Sequence, residues 1–230
     1  MFLFFKNNSV VLLSGSFILL WMVSPVIAWY ISQPPTTDPV EPPTEEGIKS
    51  FRLISRRTWR FFTTFIQEED NLLPPDNFQE DPKPVVAHRS SPTNFGLYLL
   101  STVSAKDFGW IGIGEMVDRL ESTLLVLDEL PRYKGHFYNW YDLKTKQALH
   151  PQYISSVDSG NFAGHLLVIS QTCKEVLHNP LPELSRIDGI CDTISLLKES
   201  LLKVDEKRRT LTVNLDHLQI AISDIEKLLK

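Results

Sequence analysis

From Val10 to Ile31 the chain runs VVLLSGSFILLWMVSPVIAWYI without a charged residue; the flanking charges are Lys6 and Asp38. About 20 apolar residues carry a helix across the hydrocarbon core of a bilayer, so the pattern predicts a transmembrane helix. Trp29 and Tyr30 fall where amphipathic rings favour the interface, and membrane helices tolerate a kink such as Pro25 would introduce. A cleaved signal peptide ending near Val26-Ile27-Ala28 is the rival reading. The apolar run continues through Trp29, Tyr30 and Ile31, which favours a retained anchor. Residues 33–46, QPPTTDPVEPPTEE, hold five prolines and read as an extended spacer.

Beyond the spacer the pattern changes to amphipathic segments. Gly47 to Gln67 predicts a helix with Ile48, Phe51, Ile54, Trp59, Phe62 and Phe65 or Ile66 on one face. Arg52, Arg56 and Arg60 recur every four residues on another, as a solvated face or one paired with nearby acids. Ser91 is suited to cap a helix with Pro92 at its first position; Leu97, Leu100 and Val103 follow at helical spacing, and Asp107 to Trp110 ends it. Ile113 to Leu130 is the clearest helix, with Val117, Leu120, Leu124 and Leu127 inward and Pro131 as the stop. Ser159 is expected to cap a helix through Leu177, with Phe162, Leu166, Ile169, Cys173 and Val176 on its buried face. From Ile190 a three-four rhythm runs through Ile194, Leu197, Leu201 and Val204. It resumes at Leu211, Leu215, Leu218, Ile222, Ile225 and Leu229. That rhythm fits either one long heptad helix in a coiled coil or two helices folded as a hairpin near Arg208. It is unfinished at Lys230, which reads as an incomplete chain.

Two polar stretches interrupt the helices. Asn71 to Asn94, NLLPPDNFQEDPKPVVAHRSSPTN, is broken by five prolines, each removing a backbone donor. It predicts an irregular loop anchored by Phe78, Val85, Val86 and Phe95. Its Asp76, Asn77, Gln79, Glu80, Asp81, His88, Arg89 and Asn94 suit a hydroxyl-rich ligand; an ordinary solvated loop has equal weight. In Gly135 to Asn161, aromatic and polar residues alternate at Phe137, Asn139 and Tyr141, predicting a short strand. Aromatic rings beside Asn and Asp suit a sugar, which offers C–H faces to stack on and hydroxyls to bind. The plainer alternative is a hairpin with Trp140 in the core.

The chain has 230 residues, with 23 Lys and Arg against 28 Asp and Glu, a net charge of −5. No basic block stands out, so nucleic acid is not expected. Cys173 and Cys191 sit apart at apolar helical positions and read as buried structural thiols, without zinc or redox chemistry. Phosphate-loop, GxSxG, HExxH and calcium-loop patterns are absent, and neither metal nor cofactor is expected.

Three phrases are long and unusual: RRTWRFFTTFIQEEDNLLPPDNFQED, VVAHRSSPTNFGLYLLSTVSAKDFGWIG and GHFYNWYDLKTKQALHPQYISSVDSGNFAGHL. They resemble the cyclic β-1,2-glucan synthases, from about Val10 to Cys173. The resemblance implies a large bacterial membrane enzyme. Its plan is a glycosyltransferase domain, then a central glucoamylase-like α/α toroid, then a phosphorylase-like hydrolase domain. This chain would be a fragment covering the last membrane helix and the first part of the toroid. The expected architecture is mainly α: a transmembrane anchor over 1–32, a Pro-rich linker over 33–46, a partial α/α toroid over 47–180, and a helical hairpin or coiled coil over 181–230.

The resemblance places Asp76, Asn77, Gln79, His88, Arg89, Asn94, Asn139, Trp140, Asp142, Asp158 and Asn161 at or behind a sugar site. Glu80, Asp142 and Asp158 are the acids to inspect, although a retaining mechanism needs two opposed carboxyls and the family's pair is expected further along the chain. No catalytic residue is therefore assigned, and the chain is not expected to be active alone. His88 and Arg89 serve equally well as partners of nearby acids. Implied partners are a β-glucan oligosaccharide, membrane lipid through residues 10–31, and the products of adjacent split reading frames. The implied location is the inner membrane, single pass, with the polar part cytoplasmic. The alternatives are a membrane-tethered oligosaccharide-binding module without catalysis, or an assembly protein built on the C-terminal heptads.

Overall fold

Near the N-terminus, helix α1 (Asn8–Ile31) contains the segment Leu12–Ile31, which is long and apolar enough to cross a membrane and has no buried residue. Its hydroxyls turn back on the helix: Ser16 donates to the Leu12 carbonyl at 2.9 Å and Ser24 to that of Trp21 at 2.8 Å. A computed structural model describes residues 8–33, 42–178, 183–202 and 215–229. Most of the proline-rich spacer and the segment around Arg208 lie outside the described residues. The chain divides into two units, 1–44 and 45–230.

The second unit is mainly helical. It begins with α2 (Glu45–Phe65) and a 3-10 turn (Glu68–Asp70). Three two-residue strands follow, β1 (Phe78–Gln79), β2 (Val85–Val86) and β3 (Arg89–Ser90). Next come α3 (Pro92–Asp107) and α4 (Ile113–Glu129), then β4 (Arg132–Tyr133), β5 (His136–Phe137) and β6 (Tyr141–Asp142). The last helices are α5 (Ser156–His178), α6 (Glu183–Leu201) and α7 (Leu215–Leu228). The strands pair antiparallel as β1–β2, β3–β6 and β4–β5. The stretch expected to be irregular from Asn71 to Asn94 thus contributes three short strands. Leu73, Pro74 and Pro75, fully buried, anchor it together with the expected Phe95 and Phe78, whose ring lies 4.6 Å from that of Phe65, whereas Val85 stays exposed opposite Gln79.

The core gathers Trp59 from α2, Tyr98 and Leu99 from α3, Met116, Leu120 and Leu127 from α4, Tyr141 and Leu143 around β6, and Phe162 and Ile169 from α5. The Tyr141 hydroxyl donates to the Pro131 carbonyl at 2.7 Å and accepts from the Tyr138 N–H at 2.8 Å. Burial pushes its pKa up to about 12.

Several buried faces differ from those the apolar spacing predicts. In α4, Met116, Leu120, Thr123 and Leu127 point inward, while Val117 and Leu124 are exposed. The Thr123 hydroxyl donates to the Arg119 carbonyl at 2.9 Å. That satisfies it within its own helix and lets a polar residue hold a core position. Leu97 lies on the far side of α3 from Leu99 and is exposed. In α5 the buried line steps by sevens through Phe162, Ile169 and the partly buried Val176. Leu166 and Cys173 sit about 40–60° round the helix from that line and are exposed. Cys191 is exposed as well, so neither thiol is a core residue.

Helix α2 inverts its expected polarity over its first half. Ile48, Phe51 and Ile54 are 47, 66 and 55 % exposed. Arg52 instead reaches α6, where it donates to both oxygens of Asp192 at 3.1 and 2.8 Å. Arg56 lies over the Trp110 ring at 5.6 Å. The apolar face is covered further along, where Phe62 stacks on Tyr98 with ring centroids 5.5 Å apart.

The heptad segment folds back. Lys198 of α6 pairs with Glu226 of α7, residues that a straight helix would hold about 42 Å apart at 1.5 Å per residue. Of the two readings of the C-terminal rhythm, the structure matches the hairpin.

Helices α3 and α5 meet at Gly96, where an added Cβ would lie 1.9 Å from His165 Nδ1 and 2.7 Å from its Cγ. That nitrogen is buried without a partner among the described residues. Gly96→Ala is expected to cost about 1–3 kcal/mol through overpacking, read as a lowered thermal midpoint with an unchanged helical spectrum.

Candidate functional site

Two helix starts meet at the candidate site. Ser91 caps α3, its hydroxyl accepting from the Asn94 N–H at 3.4 Å, with Pro92 in the first turn as the sequence predicts. Helix α5 begins before the expected cap at Ser159. Ser155 takes that role, accepting from the Asp158 N–H at 3.1 Å. Asp158 stands three residues after its cap, the place where an acid reaches back to the cap residue in a capping box. The signal for this start, Ser155-x-x-Asp158, is present in the sequence.

The Asp158 carboxylate is shared between both helix starts. The hydroxyls of Ser155, Thr93 and Ser91 and the Thr93 backbone favour its charged form. Burial works against its ionisation, but these donors outweigh burial and hold its pKa below the usual carboxylate range. Asn139 continues the network. In the amide orientation that satisfies all its neighbours, Nδ2 donates to Asp158 Oδ2 at 2.9 Å. Its Oδ1 accepts from the Trp140 indole Nε1–H and the Tyr153 hydroxyl, both at 2.8 Å. Asn161 donates to the Thr93 hydroxyl at 3.4 Å.

Trp140 is half-buried rather than a core residue. The Arg89 guanidinium lies 4.8 Å from its ring centroid, within reach of a cation–π contact. Arg89 Nε and Nη2 donate to Asp76 Oδ2 at 3.3 and 3.2 Å. Asn94 donates to Asp76 Oδ1 at 3.3 Å and Asn77 to Oδ2 at 3.0 Å. One connected cluster therefore runs from Asp76, Asn77 and Asn94 through Arg89 and Trp140 to Asn139, Asp158 and Asn161.

Four candidates stand apart from it. In the β3–β6 pair Arg89 is opposite Asp142 and Ser90 opposite Tyr141. Side chains alternate along a strand, which turns His88 to the face opposite Arg89. His88 Nδ1 lies 2.8 Å from each oxygen of buried Asp70, an acid that the sequence reading missed. Asp142 serves its own turn: Oδ1 accepts from the backbone N–H and hydroxyl of Thr145 at 2.8 and 2.9 Å and from the Lys144 N–H at 3.1 Å. The Thr145 N–H, followed by its hydroxyl and the Lys144 N–H, lowers the Asp142 pKa against the effect of burial. Gln79 and Glu80 are exposed in the β1–β2 hairpin, with Gln79 donating to the Asp81 carbonyl at 2.9 Å.

Chemically, the cluster offers an indole, a guanidinium and amide groups. Asp158 has a lowered pKa, whereas a glycosidic general acid needs a raised one. No group of three or more His, Cys, Asp or Glu among the described residues is placed to hold a metal ion. A groove between α6 and α7, lined by Leu201, Leu202 and Ile222 among others, shares no residue with the cluster.

No protein-family model matches this chain. The chain is 48 % identical over 195 residues to the cyclic beta-(1,2)-glucan synthase NdvB of Rhizobium meliloti. The match covers 84 % of this chain and 7 % of that protein's length. The family resemblance read from the sequence is thereby borne out. Two solved structures are also similar, both of glucoamylase candidates. One is from Bacteroides fragilis (TM-score 0.48, 14 % identity, 68 % of this chain and 37 % of that one). The other is from Bacteroides caccae (TM-score 0.47, 16 % identity, 64 % and 37 %).

Proposed function

We propose, from the similarity of this chain to a segment of a cyclic β-(1,2)-glucan synthase, that it supplies a β-glucan-binding surface centred on Trp140 and Arg89. The observation that carries the reading is the half-buried indole of Trp140. Its N–H is engaged by Asn139 and its ring lies beside a guanidinium that Asp76 holds. Ordered aromatic and polar groups of this kind bind oligosaccharide without first losing side-chain freedom. Asp76, Asn77, Asn94 and Asn161 offer hydroxyl partners around it. His88, Gln79, Glu80 and Asp142 are at most peripheral, since they point elsewhere or serve their own turns.

In this reading residues 47–180 form part of an α/α toroid, 181–230 a hairpin set against it, and α1 a single membrane anchor in the inner membrane that leaves the binding surface cytoplasmic. In this reading the chain contributes binding, and neither Asp142 nor Asp158, both with lowered pKa, suits the part of a general acid. A coiled-coil assembly role is disfavoured by the folding back of α7 onto α6.

Calorimetry of the full chain in detergent with linear β-1,2-glucooligosaccharides tests the reading. Binding in the millimolar range is expected. Trp140→Ala should weaken it at least tenfold, the equivalent of about 1.4 kcal/mol. No heat from the unaltered chain at millimolar glucan would end it.

A further inference from the structure

We propose that Asp158 is a positioning residue for the Trp140 platform, acting through Asn139 and never touching the sugar itself. This rests on the glucan-binding reading above for its functional consequence, but the structural relay stands on its own. Asp158 is fixed first. It lies in the first turn of α5, where its N–H donates to the Ser155 hydroxyl at 3.1 Å, and the hydroxyls of Ser155, Thr93 and Ser91 at the two helix starts favour its charged form. A carboxylate there satisfies donors that a helix start leaves without intrahelical partners, and the positive end of each helix dipole favours its charge. Two rigid elements therefore determine where Asp158 Oδ2 lies.

Asn139 reads that position. A primary amide has two chemically different ends, and a fixed anion selects between them, because only Nδ2 can donate to a carboxylate. With Nδ2 on Asp158 Oδ2 at 2.9 Å, Oδ1 is turned to accept from the Trp140 Nε1–H at 2.8 Å. The indole is a donor only, so the opposite amide orientation would set Nδ2 against the indole N–H and Oδ1 against the carboxylate, leaving the indole unpaired and only a donation to the Tyr153 hydroxyl. The anion at the α3–α5 junction thus sets which way the amide faces, and the amide holds the edge of the ring. Asn139 is itself buried, 7 % exposed, so water does not readily replace a lost partner. The Tyr153 hydroxyl, 2.8 Å away, pairs with the amide in either orientation, so the choice between them falls to Asp158 and the Trp140 N–H.

The arrangement divides the sequence-derived site residues into two groups. Trp140, Arg89 and the amides around Asp76 are the contact groups. Asp158 and Asn139 stand behind them. Ser91, which the sequence shows as a cap, and Thr93 and Ser155, which the sequence reading did not single out, become the base of the relay.

The test uses the full chain in detergent micelles, 15N-labelled at tryptophan, with the Trp140 indole signal assigned through Trp140→Phe. The readouts are the hydrogen-exchange rate of that indole N–H and the calorimetric affinity for β-1,2-glucooligosaccharide. Asp158→Ala is expected to speed Trp140 indole exchange by about tenfold or more and to weaken glucan binding about tenfold. Asn139→Ala leaves both helix caps in place, so it keeps the test decisive if Asp158→Ala does not fold. It should reproduce both effects, and the double variant should add little, as for residues acting through one path. Asp158→Asn, which keeps an acceptor oxygen toward Asn139, should restore most of the exchange protection. Unchanged Trp140 exchange in Asp158→Ala or, where that variant does not fold, in Asn139→Ala would overturn the relay. If exchange responds as stated while the unaltered chain binds no glucan, the relay stands and the binding reading fails.

Discussion

Gly109→Ala is expected to lower the thermal midpoint of the 45–230 unit by about 6–12 °C, a loss of about 3 kcal/mol at about 2–4 °C per kcal/mol for a unit of this size. Two costs add at this position. Gly109 has φ +79°, a left-handed conformation that costs a residue with a Cβ about 1–2 kcal/mol. It is the residue after the α3 cap: the Trp110 N–H bonds to the Ala105 carbonyl and the Gly109 N–H to that of Lys106. This is the paired hydrogen bonding of a Schellman ending. The second cost is steric. An added Cβ would lie 1.8 Å from the Ser185 carbonyl oxygen and 2.5 Å from its carbon, in the first turn of α6. Those are backbone atoms, so α6 must move as a body. Gly189 forms the other side of the same seam, where a Cβ would meet the Gly109 oxygen at 2.3 Å. Gly189→Ala should therefore also destabilise, and the double variant should lose less than the sum of the two, because either change alone already parts the seam. A Gly109→Ala protein that melts with the parent would show that α6 does not dock here.

The second large effect is expected at Asp192, which is 6 % exposed. Its carboxylate accepts from Arg52 Nε and Nη2 and from the Trp110 indole N–H at 2.8 Å. Arg52 also donates to the Phe108 carbonyl at 3.1 Å, so one acid joins α2, the end of α3 and α6. Removing one partner of a buried ion pair costs about 3–5 kcal/mol, because the other charge is left without compensation. The Arg52 side chain keeps 22 % exposure, which places Asp192→Ala at the low end, about 3 kcal/mol. Asp192→Asn retains an acceptor for the indole but not the charge, and should fall between the two. Equilibrium denaturation of the three proteins checks the order. Equal stability of Asp192→Ala and the parent would mean that the clasp contributes nothing net.

Both positions show where sequence reading stops. Gly109 is visible as part of a helix ending, and Arg52 as one of a row of arginines that either pair with acids or face water. Neither discloses α6, which joins the chain more than 70 residues later. The site was legible to a similar degree. Asp76, Asn77, Arg89, Asn94, Asn139, Trp140, Asp158 and Asn161 were singled out by residue type and resemblance, and the fold brings them into one cluster. His88 carried the same polar signature but turns to Asp70, because strand alternation places it opposite Arg89. Asp142 is spent on the turn that follows it, and the start of α5 lay at Ser155 rather than Ser159. In each case several nearby residues satisfied the same local rule, and long-range contacts selected among them.

By itself the sequence determined the local and the covalent: an uncharged apolar run long enough for α1, the Ser91–Pro92 start of α3, the limits of α4, and a phrase-level likeness to glucan synthases that a match over 84 % of the chain supports. These depend on periodicity, capping and residue identity within a few positions, all present in the linear chain. Tertiary structure alone decided which arc of each helix is buried, that Arg52 and Arg56 face protein while Ile48, Phe51 and Ile54 stay bare, that the heptads fold back, and that Asp158 is joined to Trp140 through Asn139. Those outcomes depend on contacts between residues tens of positions apart. Their strength is set by relative placement and desolvation, quantities that exist only once the chain has packed.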